Sequence, residues 1–335
     1  MLQLAIAYKN FAAYKGISHI GLGVAALNNS KVLAANGASV AVWPVTNNID
    51  IVRQIIASKP DHLVIQAPWL STRDVSAMVH AFPETQFAVV SHSNIGFLQA
   101  DPNGIRLLRE YGELVHGTHN FHLAGNSLRF VESWEHMFRV PMLYLPNLYY
   151  VDEVEKPAHR WNGGVLRIGI FGAVRPLKNF LTAAAAAISI GRWMQADLEL
   201  WFSGGRTEGG GDVMWRAVNQ LCSGVHRVKL VQVPWESWPK FRDTVASMHL
   251  LLQPSYTESF NMVTADGIVQ GVPSVVSGAI DWVPRSWTAH FDHAMDIADV
   301  GVRLLRSPLA IWRGRRALAR HNRAGINAWK YFLEL

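Results

Sequence analysis

Residues 250–276, LLLQPSYTESFNMVTADGIVQGVPSVV, constrain this chain more than any other stretch. They read as a buried strand, a polar loop, an amphipathic helix and a second buried strand. Two apolar strands joined through a helix point to parallel pairing in an α/β sheet. Glu258 and Asp266 stand on either side of the loop-to-helix junction. A helix start leaves backbone N–H groups without intrahelical partners, and its dipole favours negative charge there. A strand end that feeds such a helix is therefore a ready phosphate site. Carboxylates beside it accept hydrogen bonds from neutral donors, and sugar hydroxyls are such donors. Phosphate and hydroxyls in one place suggest a nucleotide sugar.

The same alternation runs through the rest of the chain. Residues 2–8 read as a strand, and a glycine-containing loop from Gly16 to Gly23 opens a helix. Strand-like runs follow at 39–44, 62–66 and 87–91, with helical patterns at 49–58 and 75–81 between them. Further strands are expected near 114–116 and 142–145. Residues 146–164 then have linker composition, with Pro146, a charged stretch and Gly163-Gly164. A second α/β series begins at Leu166. The division expected is an N-terminal Rossmann-like domain over 1–150, a linker over 151–164 and a C-terminal Rossmann-like domain over 165–318. A C-terminal helix over 319–335 is expected to pack back on the first domain.

Half of the 335 residues are hydrophobic, enough for two cores. A single cysteine, Cys222, excludes an internal disulfide and fits a reducing compartment. No apolar run approaches the roughly 18 residues of a membrane span. The apolar part of the N-terminus is too short for a secretory signal. The expectation is a cytoplasmic protein, or one of the host cytoplasm if virus-encoded. The net charge is +6, and the excess sits in the tail, where residues 300–335 carry eight Lys/Arg against one Asp/Glu. Such a face attracts polyanions, nucleic acid among them, although a solvated helix face accounts for it equally well.

Three ordered pieces carry a resemblance. They are Ile168-Gly-Ile-Phe-Gly-Ala-Val-Arg-Pro-Leu-Lys-Asn179, Leu252-Gln-Pro-Ser255, and Glu258-Ser-Phe-Asn-Met-Val-Thr-Ala-Asp266 followed by Gly271-Val-Pro-Ser-Val-Val276. Together they resemble family 4 of the glycosyltransferases, over roughly residues 146–280. The third piece is similar to that family's E-x7-E signature. The resemblance implies a GT-B fold, two Rossmann-like doubly wound domains facing each other across a cleft. It also implies a retaining, metal-independent transfer of sugar from a UDP- or GDP-sugar to an acceptor hydroxyl.

The resemblance assigns roles by position. Arg175 and Lys178 would neutralise the leaving diphosphate, with Gly172 at the turn before them. Ser259, Phe260, Asn261, Met262 and Val263 would offer backbone N–H groups to phosphate and sugar. Glu258 would meet the donor sugar and Asp266 the ribose. His92, at the end of a strand in the first half, would contact the donor sugar. Gly21 and Gly23 would lie near the donor phosphates or the acceptor. Each has a plainer reading: turn cations, a helix capped by Thr257 or Ser259, an exposed Asp266, a structural histidine, an ordinary helix start. The spacing of His116, His119 and His122 lacks metal-binding geometry, so no metal is expected.

Two positions depart from the family. Ala173 stands where arginine is common, and Asp266 replaces a glutamate one methylene longer. They support an alternative of another class, a nucleotide-sugar-binding protein on a catalytically decayed fold. The acceptor is open in the sequence. The basic tail and the tryptophans permit a modified base in DNA, while a glycan, a lipid-linked or a small-molecule acceptor is equally compatible.

Overall fold

The computed structural model describes residues 2–10, 20–151 and 156–335. It divides into two compact units: Met1–Tyr150 with His321–Leu335, and Val151–Arg320.

Unit 1 holds strands β1 (Gln3–Lys9), β2 (Ser39–Val45), β3 (His62–Gln66), β4 (Gln86–Ser91), β5 (Phe121–Gly125) and β6 (Met142–Tyr144). Its helices are α1 (Ile20–Ala34), α2 (Asn48–Ser58), α3 (Thr72–Ala81), α4 (Ile95–Leu98), α5 (Pro102–Gly117) and α6 (Leu128–Phe138). The strands form one parallel sheet in the order β2-β1-β3-β4-β5-β6. Both faces are covered, which explains the unbroken apolar runs. Ala5, Leu63, Ile65, Phe87, Val89 and Leu123 face one core with Trp134 and Tyr111. Leu4, Ile6, Val64, Ala88, Val90 and Ala124 face the other.

That second face is closed by the end of α12 (Ala310–Leu333), which belongs to unit 1 from His321 onward. Trp329, Phe332 and Leu333 are buried there, and the Trp329 indole N–H donates to the Pro146 carbonyl at 2.9 Å. Asn322 accepts from the Tyr149 N–H and donates to its carbonyl. Gly325 allows this approach, since a Cβ there would lie 2.6 Å from Leu148 Cδ2.

One local expectation fails. Residues 114–116 are not a strand; they lie inside α5, and the strand is β5, at Phe121–Gly125. Asp101 caps α5 by accepting from Gly104 N–H, and Pro102 sits in its first turn, a start signal that outweighs the apolar run.

Unit 2 holds β7 (Leu166–Ile170), β8 (Leu198–Ser203), β9 (Val228–Val233), β10 (Leu250–Gln253), β11 (Ser274–Ser277) and β12 (Thr288–Ala289). Its helices include α7 (Phe180–Trp193), α8 (Gly211–Cys222), α9 (Trp238–Ala246), α10 (Met262–Gln270) and α11 (Ala294–Arg306). The parallel sheet runs β12-β11-β10-β7-β8-β9. Residues 250–277 are thus β10, α10 and β11, as the pattern indicated. From β7 the chain moves outward to β8 and β9, then returns to the other side of β7 for β10 and β11. The reversal lies between β7 and β10, and ligands bind open α/β sheets beyond the strand ends at such a point.

Candidate functional site in the second unit

Two loops leave the sheet at this reversal, one after β7 and one after β10. At the first, Gly172 takes φ +124°, a conformation that favours glycine, and donates its N–H to Ser203 Oγ. A short 3-10 turn, Pro176–Lys178, then turns Lys178 inward, where it is buried. Asn179, at φ 57°, starts α7 and ties the turn down by donating from its side chain to the Pro254 and Phe291 carbonyls.

At the second loop the helix begins later than a Thr257 or Ser259 cap would place it. Asn261 is the cap, at φ 69°, and its Oδ1 accepts from the Thr264 N–H at 2.8 Å. Its side-chain NH2 donates to Gln253 Oε1 and Glu258 Oε2. Gln253 in turn donates to the Phe171 carbonyl at 3.1 Å, so one chain of hydrogen bonds links both loops.

Lys178 and Glu258, 80 positions apart in sequence, meet as an ion pair of 2.5 Å. Their side chains are only 10% and 12% exposed. Glu258 also accepts from Ser255 Oγ and Asn261, both at 3.2 Å. Burial pushes the Glu258 carboxyl up, but the charges of Lys178 and Arg175 win and hold it below the usual carboxylate range. Burial lowers the Lys178 amine, only partly offset by Glu258, with Arg175 lowering it further. The centre is therefore a largely dehydrated lysine–glutamate pair beside a helix N-terminus. Fixed charge in such surroundings acts on an anion far more strongly than in water.

The other anticipated residues fall in varied places. Arg175 stays at the rim of the same loop, 3.4 Å from Glu208. Met262 and Val263 form the first turn of α10 and Ser259 lies in the loop before it, all three half-buried. Phe260 is buried, its ring stacked on Trp282 at 5.0 Å and its carbonyl accepting from the Trp282 indole. Asp266 is buried rather than exposed, and accepts from Trp238 Nε1 at 2.9 Å.

In unit 1, His92 follows the C-terminal end of β4. Its Nε2 faces Gln66 Oε1 and its Nδ1 accepts from the Asn126 side chain at 3.1 Å. Burial lowers this imidazole to about 4, so it is neutral at pH 7. Gly21 and Gly23 lie in the first turn of α1, where a Cβ on Gly23 would meet the Tyr8 ring at 3.0 Å and one on Gly21 would meet nothing. The start of their loop, residues 16–19, lies outside the described residues.

Sequence reading missed Arg206 and Glu208, in the glycine-rich loop after β8. The signal was available: a glycine run, 204–211, directly after a strand.

No protein-family model matches the chain, and no curated protein sequence matches it. Solved structures do. Sucrose-phosphate synthase from Thermosynechococcus elongatus aligns with a TM-score of 0.62 at 14% identity, covering 99% of this chain and 96% of that one. HepE from Anabaena, in complex with UDP and glucose, aligns with a TM-score of 0.60 at 13% identity, covering 100% and 99%. A UDP-forming trehalose-phosphate synthase from Burkholderia xenovorans gives 0.60 at 10%, covering 100% and 99%. The chain has the fold of these proteins, the GT-B fold of glycosyltransferases, with two Rossmann-like units.

Proposed function

We propose that the chain is a glycosyltransferase that binds a nucleoside-diphosphate sugar in unit 2 and transfers the sugar with retention. One observation carries the reading: the buried Lys178–Glu258 pair lies at the sheet's topological reversal, beside the N-terminus of α10. The diphosphate meets Lys178, Arg175 and the first turn of α10. UDP is the preferred donor nucleotide, because the HepE structure of the same fold was solved with UDP.

In the reaction, the acceptor oxygen bonds to the anomeric carbon as the bond from that carbon to the phosphate oxygen breaks. The acceptor's proton passes to the departing phosphate, and both events occupy one face of the sugar. Glu258, held by Lys178, Ser255 and Asn261, orients the sugar and does not attack it. Lys178 and Arg175 take up the charge developing on the leaving group, so no metal is required for that role.

A polyanionic acceptor such as DNA is favoured by the exposed face of α12, which presents Trp312, Arg313, Arg316, Arg320 and Arg323. Arg316 lies over the Trp312 ring at 4.7 Å. Duplex binding that weakens steeply with salt supports this acceptor, and binding indifferent to salt removes it.

The test is transfer from UDP-sugars, with product stereochemistry read by NMR. Lys178→Ala and Glu258→Ala are expected to abolish transfer while circular dichroism is unchanged. Full activity in both overturns the site, and an inverted product overturns retention.

A further inference from the structure

The glycine-rich loop after β8 holds an ion-pair cluster that the donor site does not yet account for. Its position is fixed by the backbone. Val174 N–H donates to the Arg206 carbonyl at 2.9 Å, and Glu208 N–H donates back to the Val174 carbonyl at 2.8 Å. Val174 and Thr207 thereby form a parallel bridge. Glycine makes the approach feasible. A Cβ on Gly211 would sit 1.9 Å from the Val174 carbonyl oxygen, and one on Gly205 would sit 2.4 Å from Trp235 N. The loops after β7, β8 and β9 therefore meet at residues 205–208.

There, one carboxylate serves two guanidinium groups. Glu208 Oε2 pairs with Arg175 Nη1 at 3.4 Å, and its Oε1 pairs with Arg206 Nη2. The Arg206 guanidinium also lies over the Trp235 ring at 5.1 Å, which holds it in place independently of Glu208. The Arg206 side chain is 19% exposed and that of Glu208 31%.

Glu258 and Glu208, both at this end of the sheet, are held differently. Glu258 is clamped by a lysine, a serine and an asparagine. Among the described residues, the Glu208 side chain is held by arginine alone, on a loop where Gly209 and Gly210 take φ 51° and 89°. Its two oxygens bridge the guanidinium groups as two phosphate oxygens would, and guanidinium pairs with either anion through the same parallel N–H donors.

We propose that Arg206 is a second phosphate-binding arginine of the donor site, and that Glu208 is a resident anion which an incoming diphosphate displaces. This rests on the nucleotide-sugar reading above. Glu208 holds the two arginines together until the diphosphate arrives, and swings to solvent when the diphosphate takes its place. Its carboxylate then sets a threshold: dianionic and more highly charged ligands displace it, and uncharged nucleosides do not.

The experiment is isothermal calorimetry at low salt with UDP, inorganic pyrophosphate and uridine. Glu208→Gln keeps the shape and removes the charge. It is expected to tighten UDP and pyrophosphate about three- to tenfold and leave uridine unchanged. Arg206→Gln is expected to weaken both anions about tenfold. Unchanged or weaker anion binding in Glu208→Gln overturns the proposal, as does an equal gain for uridine. Should Glu208→Gln not fold, unchanged binding in Arg206→Gln overturns it alone. Wild type that binds UDP while neither variant differs leaves the donor reading standing and removes this one. Pyrophosphate binding that responds to both variants, without UDP binding, removes the nucleotide-sugar reading and keeps only an anion site at Arg206 and Glu208. Wild type that binds neither anion removes both.

Discussion

Removing one member of the Lys178–Glu258 pair has a consequence separable from activity. Lys178→Met leaves Glu258 nearly buried, with Ser255 and Asn261 among its remaining donors. Breaking a buried pair costs about 3–5 kcal/mol. Surviving donors place this case at the lower end, about 3 kcal/mol. Glu258→Gln keeps an acceptor toward Lys178 and is expected to cost about 1–2 kcal/mol. In the double variant neither charge is stranded, so its cost falls below the sum by about 1–3 kcal/mol. Two units need not unfold in one step, so a global midpoint is the wrong measure. Hydrogen exchange of β10 and α7, which flank the pair, reads the local stability of unit 2. Additive losses, or a Lys178→Met cost below about 0.5 kcal/mol, refute a dehydrated pair.

Further outcomes follow from the same geometry. In Glu258→Gln the carboxylate that raises the Lys178 amine is gone, while burial and Arg175 still lower it; UDP affinity should therefore fall with rising pH earlier than in wild type, by calorimetry across a pH series. Asn261→Ala removes a cap and two side-chain bonds at a left-handed position and should destabilise unit 2 by about 2–3 kcal/mol, with Asn261→Gly recovering only the backbone part, by hydrogen exchange of α10. His92 has its imidazole lowered from 6.5 to about 4 in the fold. The unfolded chain binds the extra proton first, so unit 1 loses stability as pH falls from 6.5 toward 4, and His92→Asn should reduce that slope, read as opening free energies of β4 by hydrogen exchange across a pH series. Trp329→Ala empties a fully buried indole site and should cost unit 1 about 3–5 kcal/mol, seen as faster exchange in β1 and β3.

The sheet was legible because its strands are buried on both faces. Runs such as Leu63-Val64-Ile65 and Leu250-Leu251-Leu252 admit few other structures, and the helices between them force parallel order. Leu114, Val115 and His116 misled because a short apolar run has no period of its own. The Asp101–Pro102 helix start, thirteen positions earlier, decides their fate. At the site, residue types pointed to phosphate and hydroxyl chemistry, and Lys178 and Glu258 do come together. What the sequence hides is pairing across loops. Arg175 and Glu208 are 33 positions apart, and the bridge at Val174 brings them together. Asp266 was equally unreadable, since its partner Trp238 comes from another helix.

A nucleoside diphosphate is expected to bind at the reversal between β7 and β10. Hydrogen exchange with and without saturating UDP tests it directly. Protection is expected over residues 172–179 and 255–266, with little change in the other strand-end loops of unit 2 apart from 204–211. Unchanged exchange in 172–179 and 255–266, or protection confined to unit 1, would contradict it.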